Sequence, residues 1–114
     1  MANTYTGFIG CQFPSEVKSI EETINNWYMT NGMENFHFSA QGNSRQLFFT
    51  EVSHWMMRLI AKNQDLWCNN ETYHDIIDIM PRVHVLTYCI ASSDMINRVI
   101  IDLYNMINDH KEEL

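Results

Sequence analysis

The sequence predicts an all-α domain built as a bundle of four or five helices, and three observations support this fold class. Apolar residues recur at intervals of three and four along several segments, which is the spacing of one helix face. The length of 114 residues suits a single domain with one hydrophobic core. Hydrophobic residues make up 46% of the chain, enough to build that core without disulfides or a structural metal. We therefore expect one helical domain over residues 1–114.

The N-terminal segment is the least regular part of the sequence. Residues 1–13 place two glycines among aromatic residues and threonine, which is typical of an irregular arm or a short strand. Residues 36–40, Phe-His-Phe-Ser-Ala, alternate like a strand but are few and are followed by a Gln-Gly-Asn turn signal, so a loop and an edge strand fit them equally well. If residues 5–13 pair with them, the domain carries a small β element and the alternative fold class is α+β.

The first predicted helix opens at Pro14 and ends at Asn31-Gly32, where glycine supplies a stop. Ser19 and Glu22 have the spacing of a capping box, which marks a helix start. The apolar stripe of this helix consists of Val17, Ile20, Ile24 and Trp27 or Tyr28.

The second predicted helix has the broadest apolar arc, so we expect it to be central in the bundle. Ser44 is its candidate N-cap. Its stripe contains Phe48, Val52, Trp55 and Leu59, widened by Phe49, Met56 and Ile60.

A third helix is predicted over residues 71–80, with Pro81 as its end. We expect Tyr73, Ile76, Ile77 and Met80 to form its core-facing stripe. Residues 82–91 are rich in β-branched residues and fit either a strand or a buried helix, of which we favour the helix. The last helix begins at residues 92–94, and its core stripe is Ile96, Val99, Ile100, Leu103 and Ile107.

A stripe of carboxylates on the third helix is the most informative feature of the chain. Glu71, Asp75 and Asp78 are spaced four and three residues apart, which places them within an arc of roughly 60°. The chain as a whole has 14 acidic and 7 basic residues, with a formal net charge of -7. Because a positive macromolecular surface is attracted to such a charge, we predict that the stripe binds a basic protein partner. Trp67 and Tyr73 are the candidate aromatic anchors beside it.

The same charge disfavours direct nucleic-acid binding, because the few basic residues are dispersed and phosphates would be repelled. No apolar run approaches the ~20 residues that a bilayer span needs, and we expect no membrane association. The N-terminus lacks the pattern of a secretion signal. Three cysteines at wide spacings suit free thiols in a reducing compartment, so we expect a cytoplasmic protein.

Two Glu-x-x-His motifs, Glu51 to His54 and Glu71 to His74, have the spacing found in di-metal helix bundles. In the predicted helices these side chains point away from the core, where such ligands must converge, so we expect neither a metal nor a cofactor. One alternative is a small metal-dependent or His/carboxylate enzyme that uses Glu71, His74 and Asp78. A ribonuclease-like pairing of His74 with His84 or His110 is a second version of this alternative.

The function predicted from these observations is that of a non-enzymatic inhibitor that neutralises a basic nucleic-acid-processing protein. We rank an immunity protein for a toxin nuclease first, because 18% charged residues are fewer than a DNA mimic would carry. A phage anti-defence protein, either anti-CRISPR or anti-restriction, is the alternative. The abundance of Asn, Ile and Met is typical of AT-rich genes and hints at a phage or mobile element. A monomer or a small homo-oligomer fits this function.

Overall fold

The bundle is described here from a computed structural model that covers residues 13–39, 45–63, 70–88 and 91–114. Within these ranges the chain forms four helices and no strand. We number the helices in chain order as α1 Pro14–Thr30, α2 Arg45–Lys62, α3 Glu71–Val85 and α4 Ser93–Asp109. The prediction of an all-α helix bundle is confirmed. The predicted N-terminal arm, apart from Phe13, lies outside the described residues.

The four helices enclose one hydrophobic core. Helix α2 packs against α3, α3 against α4, and α4 against α1. Among the described residues, the aromatic side chains of the core that are no more than 1% exposed are Tyr28, Phe48, Phe49 and Trp55. Because aromatic side chains bury the most apolar area per residue, this cluster is a main source of the bundle's stability.

Helix α1 begins at Pro14, which leaves one fewer N–H without a partner in the first turn. Pro14 occupies the first turn, where its missing N–H has no intrahelical partner to lose, and Phe13 provides no side-chain cap. The predicted capping box is wrong, because Ser19 and Glu22 lie inside the helix. The predicted stop is confirmed, with Gly32 at a positive φ of 73° that favours glycine. The predicted stripe is buried, and it includes both Trp27 and Tyr28.

The segment after α1 is held by a side chain in place of a strand partner. The Asn25 amide donates to the carbonyl oxygen of Phe38 at 2.6 Å, and its oxygen accepts from the Phe38 N–H at 2.8 Å. These two bonds satisfy the backbone groups that a neighbouring strand would otherwise pair. Phe38 is buried, and its ring centre lies 5.4 Å from that of Phe48. Residues 36–39 form no strand. Of the two alternatives for residues 36–40, the edge strand is wrong over the described part and the loop holds there.

Large side chains close the bundle between α1 and α2. Arg58 on α2 donates a hydrogen bond to the Tyr28 hydroxyl at 2.8 Å, and its guanidinium lies 4.4 Å from the centre of the Phe36 ring. The Tyr28 and Phe36 rings are stacked with their centres 5.3 Å apart. Burial raises the pKa of Tyr28 above its ordinary value, and the nearby Arg58 opposes this rise. Arg58 and the stacked rings of Tyr28 and Phe36 thus cover this side of the core.

Helix α2 has the broad buried arc that its sequence predicts. The predicted stripe residues on α2 are buried, and Ile60 at the edge of the arc is half-buried against the core. The proposed N-cap, Ser44, lies outside the described residues. A helix with so wide an apolar arc contributes side chains to the core along its whole length.

Helix α3 continues past Pro81 to Val85, so the prediction that it ends at Pro81 is wrong. Pro81 lacks the N–H that would bond the Ile77 carbonyl, but Pro81 is exposed and Ile77 is 42% exposed, so water can reach that carbonyl. Residues 82–85 are its last turn, as the helix interpretation of residues 82–91 implies, and residues 86–88 form a turn. Cys89 and Ile90 lie outside the described residues.

The buried face of α3 differs from the predicted one. Its buried residues are Thr72, Ile76, Ile79 and Val83. At ~100° per residue this face is centred roughly 80° from the predicted stripe of Tyr73, Ile76, Ile77 and Met80. The difference arises because α3 lies between α2 and α4 and because Val83 belongs to a turn that Pro81 does not interrupt. The carboxylate stripe therefore lies beside the buried face of α3, next to α4, and not on the side of α3 opposite the core.

Helix α4 confirms its prediction. The Ser92 hydroxyl oxygen accepts from the Met95 N–H at 3.2 Å and caps the first turn. Every residue of the predicted stripe, from Ile96 to Ile107, is buried. The helix ends at Asp109, and His110 begins a turn that packs the C-terminus beside the start of α3. This turn carries part of the candidate site.

Candidate functional site

A groove between α3 and α4 collects aspartates from both helices. Asp75 and Asp78 come from the carboxylate stripe of α3, whereas Asp102 and Asp109 project from α4. The spacing of seven residues between the two α4 aspartates places them on one side of that helix. The groove is open to solvent, has a volume of about 340 Å³ and is lined by Asp75, Asp78, Ile79, Arg82, Asp102, Asn105, Met106 and Asp109.

The charges of this acidic groove are only partly compensated. Arg82 is the one basic residue among the described residues that line it, and its Nη2 donates to Asp102 Oδ2 at 2.6 Å. Both side chains of this ion pair are about two-fifths exposed, which limits its contribution to stability. Asp78 and Asp109 are exposed to solvent. Their carboxylates therefore present negative charge to an approaching molecule.

At the other end of the groove, His110 joins the end of α4 to α3 by hydrogen bonds. His110 is 8% exposed, and its Nε2 lies 2.5 Å from Asp75 Oδ2. Its Nδ1 lies 2.9 Å from the hydroxyl oxygen of Thr72, which is 6% exposed. Both ring nitrogens thus join the end of α4 to the first two turns of α3. This contact fixes the position of the Asp75 carboxylate at the edge of the groove.

The C-terminal turn adds a second carboxylate to this network. Asn70 is the N-cap of α3, where its side-chain oxygen accepts from the Tyr73 N–H at 3.1 Å. Its amide nitrogen donates to Glu113 Oε2 at 3.0 Å. Hydrogen bonds from Asn70 and then from the Thr72 hydroxyl lower the pKa of Glu113 below its ordinary value. The start of α3 is therefore joined to the C-terminal turn by polar side chains, and Leu114 packs against the core beside them.

The predicted site residues are distributed over different surfaces. Asp75 and Asp78 line the acidic groove together, and Glu71 is exposed in the first turn of α3. Tyr73 is half-buried on the other flank of α3, where it lines a small cavity with Leu59 and Ile60 of α2. The predicted anchor Trp67 lies outside the described residues. The structure thus joins two of the three carboxylates with new partners on α4, and it places Tyr73 away from them.

Asp102 and Asp109 were not predicted as site residues from the sequence, and His110 was named only as a candidate partner of His74 in the enzyme alternative. The spacing of Asp102 and Asp109 repeats the helical rule that singled out the stripe on α3, so the signal was present. The role of His110 had no such signal, because it depends on the end of α4 meeting the start of α3. Contacts between helices of this kind are not encoded in the periodicity of either helix.

The residues proposed for a metal or for catalysis are spread over several surfaces. Within the described ranges, no three His, Cys, Asp or Glu side chains are placed to hold one metal ion. His54 is 3.9 Å from Glu51 on an exposed part of α2. His74 lies beside Tyr73 and His84 beside Tyr88, whereas His110 contacts Asp75. The predicted enzyme alternatives stay predictions, which metal analysis and activity assays can address.

The part of the chain that the structure describes contains no helix with the length and apolar character needed to cross a membrane. In comparisons with known proteins, no family model, no curated protein and no solved structure matches this chain. What the acidic groove can bind therefore has to be inferred from its own side chains.

Proposed function

We propose that this protein is a non-enzymatic inhibitor that binds a basic nucleic-acid-processing protein through the acidic groove. The observation that carries the proposal is the convergence of Asp75, Asp78, Asp102 and Asp109, from two helices, on one groove. Ile79 and Met106 provide apolar surface between these carboxylates. A groove with charged rims and an apolar floor suits a protein segment that carries Arg or Lys beside apolar side chains.

Arginine is the partner residue that this arrangement favours. A guanidinium donates two parallel hydrogen bonds to a carboxylate, and its weak hydration lowers the cost of entering a protein interface. The net charge of -7 would also steer a basic surface toward the groove and raise the association rate at low salt. Nucleic-acid-processing proteins carry such Arg and Lys surfaces in order to hold phosphates. An acidic inhibitor that occupies this surface would block the nucleic acid.

Two biological versions share this chemistry. An immunity protein for a toxin nuclease ranks first, because only 18% of the residues are charged, which is low for a protein that imitates DNA. A phage protein that blocks a CRISPR or restriction complex is the alternative. The two versions differ in the identity of the captured partner, so one binding experiment addresses both.

The proposal is tested by charge reversal in the acidic groove. The test variant carries Asp78→Lys and Asp109→Lys, because both side chains are exposed and their replacement leaves the His110 and Arg82 contacts intact. The matched control carries Glu22→Lys and Glu34→Lys, two exposed positions outside the groove with the same change in net charge. Tagged proteins are used to capture partners from the native host, and the captured proteins are identified by mass spectrometry.

We expect the wild type and the control to capture one basic nucleic-acid-processing protein and the groove variant to lose it. The purified partner should then lose its nuclease or nucleic-acid-binding activity when one equivalent of wild type is added. Its affinity for the wild type should fall with increasing salt, because the contacts are ionic. Equal capture by both double variants, or a captured partner without a basic surface, would contradict the proposal.

A further inference from the structure

A second groove continues the acidic groove along the border between α3 and α4. It has a volume of about 470 Å³ and lies between the end of α3 and the start of α4. We call it the arginine groove, and it is lined by Arg82, Ser92, Asp94, Met95, Arg98 and Val99. All of these residues except Val99 are exposed. Arg82 also lines the acidic groove, so the two grooves meet at this side chain.

Two contacts show that α3 and α4 run antiparallel along both grooves. Asp75, early in α3, contacts His110, which directly follows α4. Arg82, later in α3, contacts Asp102, which precedes His110 in the chain. Residue numbers therefore rise along α3 as they fall along α4, and the two grooves form one continuous strip. A strip between two packed helices can accommodate the helix of another protein.

The charge of this strip changes along its length. At one end, Asp78 and Asp109 are exposed in the acidic groove. At the other end, Arg98 is exposed and forms no ion pair with any residue that the structure describes. Asp94 lies beside it in the first turn of α4, where the N–H groups of the helix start partly offset a negative charge. One end of the strip therefore attracts cations, and the other offers a guanidinium to an anion.

The two ends are separated by a distance that a short helix can span. Arg98 precedes Asp109 by eleven residues on α4, which places both on one side of the helix and roughly 16 Å apart. Met106 in the acidic groove and Met95 in the arginine groove add adaptable apolar surface. The described ranges contain no strand, so an extended segment would find no sheet edge there to pair its backbone. A helix satisfies its own backbone groups and needs no such edge.

We propose that the strip binds one α-helix of the partner, which carries Arg or Lys near one end and Asp or Glu near the other. The basic end contacts Asp78 and Asp109, and the acidic residue contacts Arg98 about three turns away. This inference rests on the proposed function and adds two properties of the partner, namely a helical segment and a carboxylate of its own. A purely basic segment would place positive charge on Arg98 and be repelled there. The strip thus selects its partner by attraction at both ends and by repulsion of the wrong charge.

Two synthetic peptides that form helices test the proposal on the full chain. Both are alanine-based and carry three arginines near one end. The mixed-charge peptide has a glutamate eleven residues from the central arginine, and the neutral-end peptide has glutamine at that position. Their affinities for the wild type, Arg98→Glu and Lys18→Glu are measured by nuclear magnetic resonance titration at low salt. Lys18→Glu is the matched control, because Lys18 is exposed on α1, lines neither groove and gives the same change in net charge.

We expect the wild type and Lys18→Glu to bind the mixed-charge peptide about threefold to tenfold more tightly than the neutral-end peptide. This is the factor of one ion pair that is partly shielded at an interface. Arg98→Glu should prefer the neutral-end peptide. A spin label at the glutamate end should broaden the amide signals of Met95 and Arg98. A label at the arginine end should broaden those of Asp78 and Asp109.

The outcomes separate this inference from the proposed function. Equal affinity of the wild type for the two peptides, labels that broaden the opposite ends, or no binding of either peptide at millimolar concentration would overturn the inference. The variant with Asp78→Lys and Asp109→Lys is titrated in parallel. If it binds neither peptide while the wild type binds both equally well, the inference fails and the proposed function does not. If it binds both as tightly as the wild type does, the acidic groove does not bind basic segments and both proposals fail.

Discussion

The two sides of the bundle are closed by different kinds of contact. Between α1 and α2, the rings of Phe36 and Phe38, the Tyr28 and Arg58 contact and the Asn25 amide fill the space. Between α3 and α4, the contacts on the outer side are carboxylates, an ion pair with Arg82 and the His110 network. The α1–α2 side, here called the aromatic side, excludes water with aromatic surface. The α3–α4 side, here called the charged side, exposes charged groups whose interactions are weakened by salt.

The two sides therefore contribute differently to folding stability and to the binding of other molecules. Burial of aromatic surface is nearly insensitive to salt and to pH near neutrality, so the α1–α2 side should hold the fold under most conditions. Exposed charges contribute little to folding but determine which molecules approach. The acidic groove can therefore be altered for binding at a small cost in stability. Mutations on the α1–α2 side should therefore lower the free energy of unfolding more than mutations in the acidic groove.

The largest effect is expected for Phe38→Ala on the aromatic side. Phe38 is 2% exposed, and its removal leaves a cavity beside Phe48 that the rigid neighbours fill only in part. We expect the free energy of unfolding to fall by about 3 to 5 kcal/mol, as for other buried phenylalanines. Urea unfolding followed by circular dichroism measures this change.

Phe36→Ala is the matched control for this prediction, because Phe36 lies in the same segment but is 45% exposed. Its replacement removes the ring that covers Arg58 and should cost about 1 kcal/mol. A loss for Phe38→Ala as small as the one expected for Phe36→Ala would show that the segment contributes little to the core. The aromatic side would then not be the main source of stability.

The next effect in size is expected for Asn25→Ala. This substitution removes both partners of the Phe38 backbone and leaves a partly buried N–H and C=O without them. We expect a loss of about 2 kcal/mol, because an unsatisfied buried polar group costs more than a hydrogen bond gains. Asn26→Ala is the control, since Asn26 is exposed on the same helix. A loss no larger than that of the control would contradict the role assigned to Asn25.

The fold was predicted from the sequence where it depends on periodicity. The stripes of α1, α2 and α4 are buried as expected, because three- and four-residue spacing determines which side chains share a helix face. The sequence left loop and edge strand open at residues 36–40 and wrongly ended a helix at Pro81, and both have a different reason. Both outcomes depend on surroundings, namely the Asn25 amide in one case and the solvent around Pro81 in the other.

The candidate site was predicted only in part, because periodicity identifies side chains on one helix but not contacts between helices. Asp75 and Asp78 were found because their spacing marks one side of a single helix. Their meeting with Asp102, and the contact of His110 with Asp75, arise only when α3 and α4 pack together. The rotation of the buried face by roughly 80° also moved the carboxylates from the far side of α3 to its border with α4. Such a rotation is fixed by both neighbours of the helix.

The smallest effect is expected on the charged side, for the ion pair of Arg82 and Asp102. A double-mutant cycle with Arg82→Ala, Asp102→Ala and the double variant isolates the coupling between the two side chains. We expect a coupling of about 0.2 to 1 kcal/mol at low salt, because the 2.6 Å contact is offset by exposure of both groups. At 1 M salt the Debye length falls to about 3 Å, and the coupling should fall toward zero.

Raising the salt to 1 M should not reduce the loss of unfolding free energy caused by Phe38→Ala. The two sides of the bundle should therefore respond differently to salt. Both quantities come from urea unfolding at two salt concentrations, so one set of measurements compares the two sides directly. A coupling well above 1 kcal/mol that persists in salt would mean that the Arg82 and Asp102 pair is shielded from solvent. The charged side would then stabilise the fold as the aromatic side does, and changes in the acidic groove would no longer leave stability nearly intact.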